Sequence, residues 1–230
     1  MSYLVDPQVE KAEILVNYAK GDVFLEKKVK DIIEGIPALS RRTPKVADGP
    51  FQFEPEVLQS IINTGKNLVD AGLVGSVFGN ISSFFNGKVY ISSSGSHLDD
   101  LRSAIAVADI NGNVFNGQPP SSEMPSHLRV YKETDARCIL HGHPFFTITM
   151  SLLAGIGNTL FGIPVVGGEP GGGEKGIVHT VPQALKKLNI VVVYGHGVFA
   201  VDAFDFNNPL NAMHKLEKLC RKRYISKYVG

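Results

Sequence analysis

The chain has 230 residues, with 23 Lys+Arg against 22 Asp+Glu and a formal net charge of +1. That balance leaves no electrostatic footprint for nucleic acid or an anionic membrane. With 43% hydrophobic and 20% charged residues, the composition is that of a folded globular chain, and the length suits one compact α/β domain plus a short appendage.

In the first stretch, Val9, Ala12, Leu15, Val16 and Ala19 fall on one helical stripe. Lys27-Lys28-Val29-Lys30 is charged, and Pro37, Arg41-Arg42 and Pro44 break any helix. Residues 1–50 therefore read as a helical extension that packs on the main domain or on a neighbouring subunit, with the main domain over 51–230. Asp6, Glu10 and Glu13 sit where a secretory leader would need an apolar run, so none is expected. No apolar run reaches the roughly 18 residues of a membrane span. Two cysteines, Cys138 and Cys220, form no disulfide framework and point to a reducing cytoplasm.

From Phe51 the pattern alternates between helix and strand. Val57, Leu58, Ile61, Ile62, Leu68 and Val69 have helical spacing, and Gly72 ends that helix. Phe84 to Ile91 reads as a hairpin turned at Asn86-Gly87, and Asn111-Gly112 separates a strand over 106–110 from Val114-Phe115. Ser121-Ser122-Glu123 opens a helix to Glu133, with serine as cap and the acid in the first turn. A strand over Arg137–His141 leads to a helix from Pro144. Ile190 to Tyr194 reads as a buried strand, Ile163 to Val166 as a weaker one limited by Pro164, and Asn207 to Tyr228 as a long amphipathic helix. Early hairpins exclude a purely parallel sheet and predict a mixed or antiparallel one flanked by helices.

His141-Gly142-His143 ends an apolar strand, and residues two apart on a strand share a face, so both imidazoles can reach one point. Gly142 keeps the position between them clear. Ordinary polar strand-end histidines would look the same. Tyr194-Gly195-His196-Gly197 adds a third histidine at another strand end, between glycines that permit unusual dihedrals and close approach. Three histidines at two strand ends match the ligand set of a catalytic zinc site with an open position. Glu123 is either a simple first-turn acid or a carboxylate near the metal, serving as fourth ligand or proton carrier. His127, one turn on, is either a rival ligand or a structural helix histidine. Gly79-Asn80, Ser94-Gly95 and Ser121-Ser122 are loop clusters whose N–H and hydroxyl donors can cradle a phosphate, although turn chemistry explains each one alone.

Taken in order, Gly79-Asn80-Ile81-Ser82, Ile91-Ser92-Ser93-Ser94-Gly95, Pro120-Ser121-Ser122-Glu123, His127, Tyr131, His141-Gly142-His143 and His196-Gly197-Val198 resemble the class II aldolase/adducin family over residues 55–225. That family includes fuculose-phosphate and rhamnulose-phosphate aldolases and ribulose-phosphate 4-epimerases. The resemblance implies a three-layer α/β/α sandwich around a nine-stranded, mostly antiparallel sheet, assembled as a tetramer with sites at subunit interfaces. It implies Zn²⁺, or Mn²⁺ or Co²⁺, on His141, His143 and His196, with Glu123 as the catalytic carboxylate that also completes the coordination. Gly79, Asn80, Ser94, Gly95, Ser121 and Ser122 fall where the family holds the substrate phosphate. The implied activity is metal-dependent cleavage or formation of a C–C bond in a phosphorylated sugar or related hydroxy-carbonyl compound, through a metal-stabilised enediolate. A decarboxylase or 4-epimerase of the same family, and a non-catalytic adducin-like interaction domain, are the alternatives.

The chain departs from the family pattern in one segment. Family aldolases carry a tyrosine acid between the second and third histidine, yet no tyrosine occurs from Pro144 to Val193. A glycine-rich run, Gly167 to Gly176, occurs there instead, and Glu169, Glu174, Lys175 and His179 are the candidate replacements. The epimerase's catalytic aspartate has no clear match. Tyr224 and Tyr228 lie where some family members reach into a neighbouring subunit's site. Lys215, Lys218, Arg221, Lys222 and Arg223 suit the end of the last helix by dipole complementarity.

Overall fold

The computed structural model describes residues 7–36, 39, 45–75, 77–169 and 176–230. The helix break expected at Pro37, Arg41-Arg42 and Pro44, and the candidates Glu174 and Lys175, lie outside the described residues.

Helix α1 (Pro7–Ala19) buries Ala12, Leu15 and Val16, as its stripe predicts. A 3₁₀ turn at Val23–Leu25 leads to α2 (Glu26–Gly35). Helix α3 (Glu54–Asp70) starts where Glu56 accepts a hydrogen bond from Phe53 N, buries Val57, Ile61 and Leu68, and is followed by Gly72 at φ +66°. Strands β1 (Asn80–Phe85) and β2 (Lys88–Ser92) form the expected hairpin, with Asn86 and Gly87 at φ 47° and 77°. Next come β3 (Ile105–Asp109), α4 (Met124–Glu133), β4 (Cys138–Gly142) and α5 (Phe145–Ala154). A two-residue edge strand β5 (Thr159–Leu160) precedes β6 (Ile163–Val166), in which Pro164 faces Thr159. Helix α6 (Ile177–Leu185), β7 (Ile190–Val193), β8 (Gly197–Asp202) and α7 (Asn207–Tyr224) complete the order, with a π-helical turn at Ile225–Val229.

The sheet runs β3-β2-β1-β4-β8-β7-β6-β5. Every neighbouring pair is antiparallel except β6 with β7. The mixed, mostly antiparallel sheet is thus as expected, but among the described residues it has eight strands, not nine. Alternation along the central strands divides the core in two. Leu140, Val192, Val198 and Ala200 pack with α1, α3, α5 and α7, whereas Ile139, Val191, Val193, Phe199 and Val201 meet Leu128 and Val130 of α4 and Val181 and Leu185 of α6. Helices on both faces make the three-layer α/β/α sandwich. Each such aliphatic side chain contributes about 1.5–3 kcal/mol by leaving water.

The first helices share this core. Helix α1 packs on α5, and Tyr224 Oη donates to Leu15 O at 2.8 Å. Tyr224, at one of the two positions where some family members reach into a neighbouring subunit's site, is fully buried within its own chain. Its hydroxyl is already committed to α1.

Candidate metal centre

Strand β4 lies between β1 and β8, with Asn80 opposite His141 on one side and Phe199 opposite it on the other. Side chains paired across strands share a face, so the Phe199 ring stacks on the His141 ring at 4.0 Å while Asn80 reaches the same space. His143 follows the strand end by one residue. His196 stands in the tight turn between β7 and β8, with Gly195 at φ +64°. One ligating nitrogen from each of His141, His143 and His196 lies within 4.8 Å of the other two.

Two glycines set this geometry. Gly142 has a different purpose from the one its position suggests: a Cβ there would meet Met213 Sδ at 2.7 Å and Leu73 O at 3.0 Å, so the residue admits α7 behind the strand. A Cβ on Gly197 would stand 2.4 Å from Gly142 O and 2.9 Å from His141 Cε1, so only glycine lets the His196 turn close on the His141 strand.

The sequence places serine at the cap of α4 and Glu123 in its first turn. In the structure Glu123 is itself the cap residue, and its carboxylate makes no cap bond. It turns inward instead, with Oε2 3.3 Å from His141 Nε2 and Oε1 3.0 Å from His196 Nε2, and it accepts from Asn80 Nδ2 at 2.9 Å. Burial pushes this carboxyl up, but His141, His196 and Asn80 outweigh burial and hold it well below the usual carboxylate range.

The donor set fits a divalent cation. His141 Nδ1 faces the Val198 carbonyl at 3.0 Å, which can only accept, so Nδ1 carries the proton and Nε2 presents a lone pair. That lone pair faces Glu123 Oε2 and, at 3.0 Å, His143 Nε2. Burial lowers the His141 imidazole's affinity for a proton well below normal, although the Glu123 carboxylate opposes this. The His141 lone pair and the Glu123 carboxylate repel each other across 3.3 Å, and a cation between them reverses the sign.

These groups open on a cavity of about 160 Å³ lined by Gly79, Asn80, Ser93, Ser94, Gly95, Ser96, Ser121 and Ser122, together with Val77, Phe78, Glu123 and the three histidines. Gly79, Asn80, Ser94, Gly95, Ser121 and Ser122, expected from the sequence as phosphate holders, thus line the same cavity as Glu123 and the three histidines. Two buried polar atoms on its wall, Asn80 Oδ1 and Ser93 Oγ, have no hydrogen-bond partner. No lysine, arginine or tyrosine lines it among the described residues.

The other candidates fall elsewhere. His127 is buried, with Nδ1 2.6 Å from Ser82 Oγ and its ring edge on Phe199, and it neither joins the three-histidine group nor lines the cavity. His179 pairs with Arg129 at 2.6 Å on the α4–α6 side, and neither it nor Glu169 lines the cavity. The sequence offered no sign of the Val198 carbonyl, because a backbone acceptor leaves no trace in residue type. Ser93 was visible only as part of a serine run.

Residues 59–224 match the family described as Class II Aldolase and Adducin N-terminal domain. The chain is 32% identical over 98 residues to an L-fuculose phosphate aldolase of Methanococcus maripaludis, covering 42% of this chain and 54% of that protein. It is 28% identical over 96 residues to a 3-oxo-tetronate 4-phosphate decarboxylase of Haemophilus influenzae, covering 40% and 46%. The chain thus spans about half the length of the curated relatives it matches. The crystal structure of L-fuculose-1-phosphate aldolase from Thermus thermophilus superposes with a TM-score of 0.65 at 23% identity, over 74% of this chain and 94% of that one.

Proposed function

The chain belongs to the class II aldolase and adducin family, and on that premise we propose that it is a divalent-metal-dependent lyase that cleaves or forms a C–C bond in a small phosphorylated hydroxy-carbonyl compound. The observation that carries this reading is the convergence of His141, His143 and His196 around a buried Glu123 at the wall of a polar cavity.

In this reading His141, His143 and His196 hold the ion, Zn²⁺ first and Mn²⁺ or Co²⁺ as substitutes, with Glu123 able to complete the set. Held there, such an ion supplies Lewis-acid stabilisation for the negative charge left on neighbouring carbonyl and hydroxyl oxygens as the C–C bond breaks. Glu123 moves the proton to or from the reacting carbon, and Asn80 fixes its carboxylate through Oε2. The phosphate rests against Gly79, Asn80, Ser94, Gly95, Ser121 and Ser122, held by neutral N–H and hydroxyl donors. A homotetramer in the cytoplasm is part of the same reading. No helix among the described residues is long and apolar enough to cross a membrane.

A specific observation favours a second reading, decarboxylation. Aldol cleavage needs a base for the hydroxyl whose carbon departs as an aldehyde, and no tyrosine lines the cavity among the described residues. Loss of CO₂ needs no such group, because CO₂ departs without a proton to surrender. Incubating the metal-loaded protein with aldol-type sugar phosphates and with phosphorylated 3-oxo acids, then analysing products by NMR, separates the two. Aldehyde release supports the lyase as stated, CO₂ release supports the second reading, and inversion at a carbon with no bond lost identifies an epimerase.

A further inference from the structure

We propose that Glu217 of α7 is a positioning residue for His143, setting the metal ligand in place by fixing the first turn of α5 that follows it. The inference rests on the metal reading above.

Helix α5 starts two residues after His143, and its first N–H groups have no partner within the helix. A short polar side chain at the cap position would ordinarily serve them, but Pro144 is there and offers no acceptor. Phe146 and Thr147 are fully buried, so water does not serve them either. Glu217, about 70 residues away in sequence, supplies what is missing. Its Oε1 accepts from Phe146 N at 2.8 Å, and its Oε2 accepts from Thr147 N and Thr147 Oγ1, each at 2.8 Å. The carboxylate sits at the positive end of the helix dipole, where an anion is favoured.

Glu217 is 3% exposed. Burying a carboxylate is expensive compared with burying an apolar side chain, and helix α7 could pack here with leucine. What the carboxylate adds is a hold on the chain on the far side of His143. Met213, one turn earlier on the same face of α7, is the residue that would meet a Cβ on Gly142. A single helix thus grips the chain at Gly142 and at Phe146–Thr147, on either side of the ligand. His141 is oriented through its own ring by the Val198 carbonyl, whereas this hold on His143 runs through the backbone.

The test is Co²⁺ affinity, by competition with a chelating dye, together with the Co²⁺ absorption spectrum, on full-length wild type, Glu217→Gln, Thr147→Val and Ile61→Val. Glutamine keeps the shape but turns an N–H₂ toward donors. Valine at 147 removes only the hydroxyl bond. Ile61→Val trims the core of α3 and controls for lost stability alone. We expect Glu217→Gln to weaken Co²⁺ binding on the order of tenfold, as loss of a ligand-orienting group does, and to shift the absorption band. Thr147→Val should move both in the same direction by less, and Ile61→Val should move neither. Wild-type affinity and spectrum in Glu217→Gln would overturn the inference. If that variant does not fold, Thr147→Val decides in the same way. A wild-type protein that takes up no Co²⁺ overturns the metal reading and this inference with it, whereas normal uptake with unchanged variants overturns this inference alone.

Discussion

Glu123 and His196, brought together by the cap of α4 and the β7–β8 turn, stand 3.0 Å apart with the carboxylate 8% exposed and the imidazole 20% exposed. The carboxylate is shut away on the cavity wall, while the imidazole is the one of the three open enough to meet an arriving ligand. The proposed proton carrier and the most accessible proposed metal ligand therefore touch directly.

Replacing Glu123 by glutamine preserves the shape and removes the proton-carrying group. Turnover is expected to fall about 10²–10⁴-fold, with roughly one ion per chain retained on the three histidines. Steady-state kinetics beside metal analysis of the same sample checks this. Full activity in the variant would remove Glu123 from the reaction.

Gly197→Ala puts a methyl group 2.4 Å from Gly142 O and 3.0 Å from His143 Cδ2. Overpacking of this kind costs about 1–3 kcal/mol, and here it pushes two ligands apart. The variant should unfold at lower urea and bind metal at least ~10-fold more weakly. Gly87→Ala serves as the control. It strains a hairpin turn at φ +77° that meets nothing within 4 Å, so it should lose stability and keep its metal.

His127 gives a pH dependence of known sign. Its imidazole falls from the ordinary 6.5 to about 4, chiefly because burial disfavours the charged ring while Glu123 partly opposes. Between those values the unfolded chain binds a proton that the folded chain refuses. Its contribution is whole above pH 6.5 and is lost as pH falls toward 4, by up to about 3 kcal/mol. Urea unfolding at several pH values, with all samples in the same metal state, should show a shallower acid loss in His127→Gln than in wild type. Equal slopes would contradict this.

Tyr224→Phe removes the hydroxyl that donates to Leu15 O. Stability should drop by about 0.5–1.5 kcal/mol with catalytic constants unchanged, because the hydroxyl ties α1 to α7 and does not serve a reaction. Loss of turnover in a fully folded variant would restore a catalytic role for it.

Several of these features were legible in the sequence. Asn86-Gly87 announced its hairpin, the stripe in α3 announced its buried face, and His141-Gly142-His143 at the end of an apolar strand announced convergent imidazoles. Other features left weaker traces. Strand β8 is the run Gly197–Asp202 directly after the His196 turn, too close to β7 for periodicity to part them. Helix α6 contains Pro182 and follows a glycine-rich run, so it lacks an ordinary start signal. Gly142 was noticed for the wrong reason, since what crowds it is Met213, 71 residues on in the chain. Glu217 gives no signal in the sequence, because residue type cannot show that two N–H groups of another helix end at its carboxylate.

The most direct measurement is the divalent-metal content of untagged protein purified without chelator, by plasma mass spectrometry, beside a His141→Ala/His143→Ala variant. About one Zn²⁺ or other divalent ion per chain, absent from the variant, is the predicted result. No metal in the wild type, even after reconstitution and dialysis, would contradict a metal-dependent lyase and turn attention to an interaction domain built on the same fold.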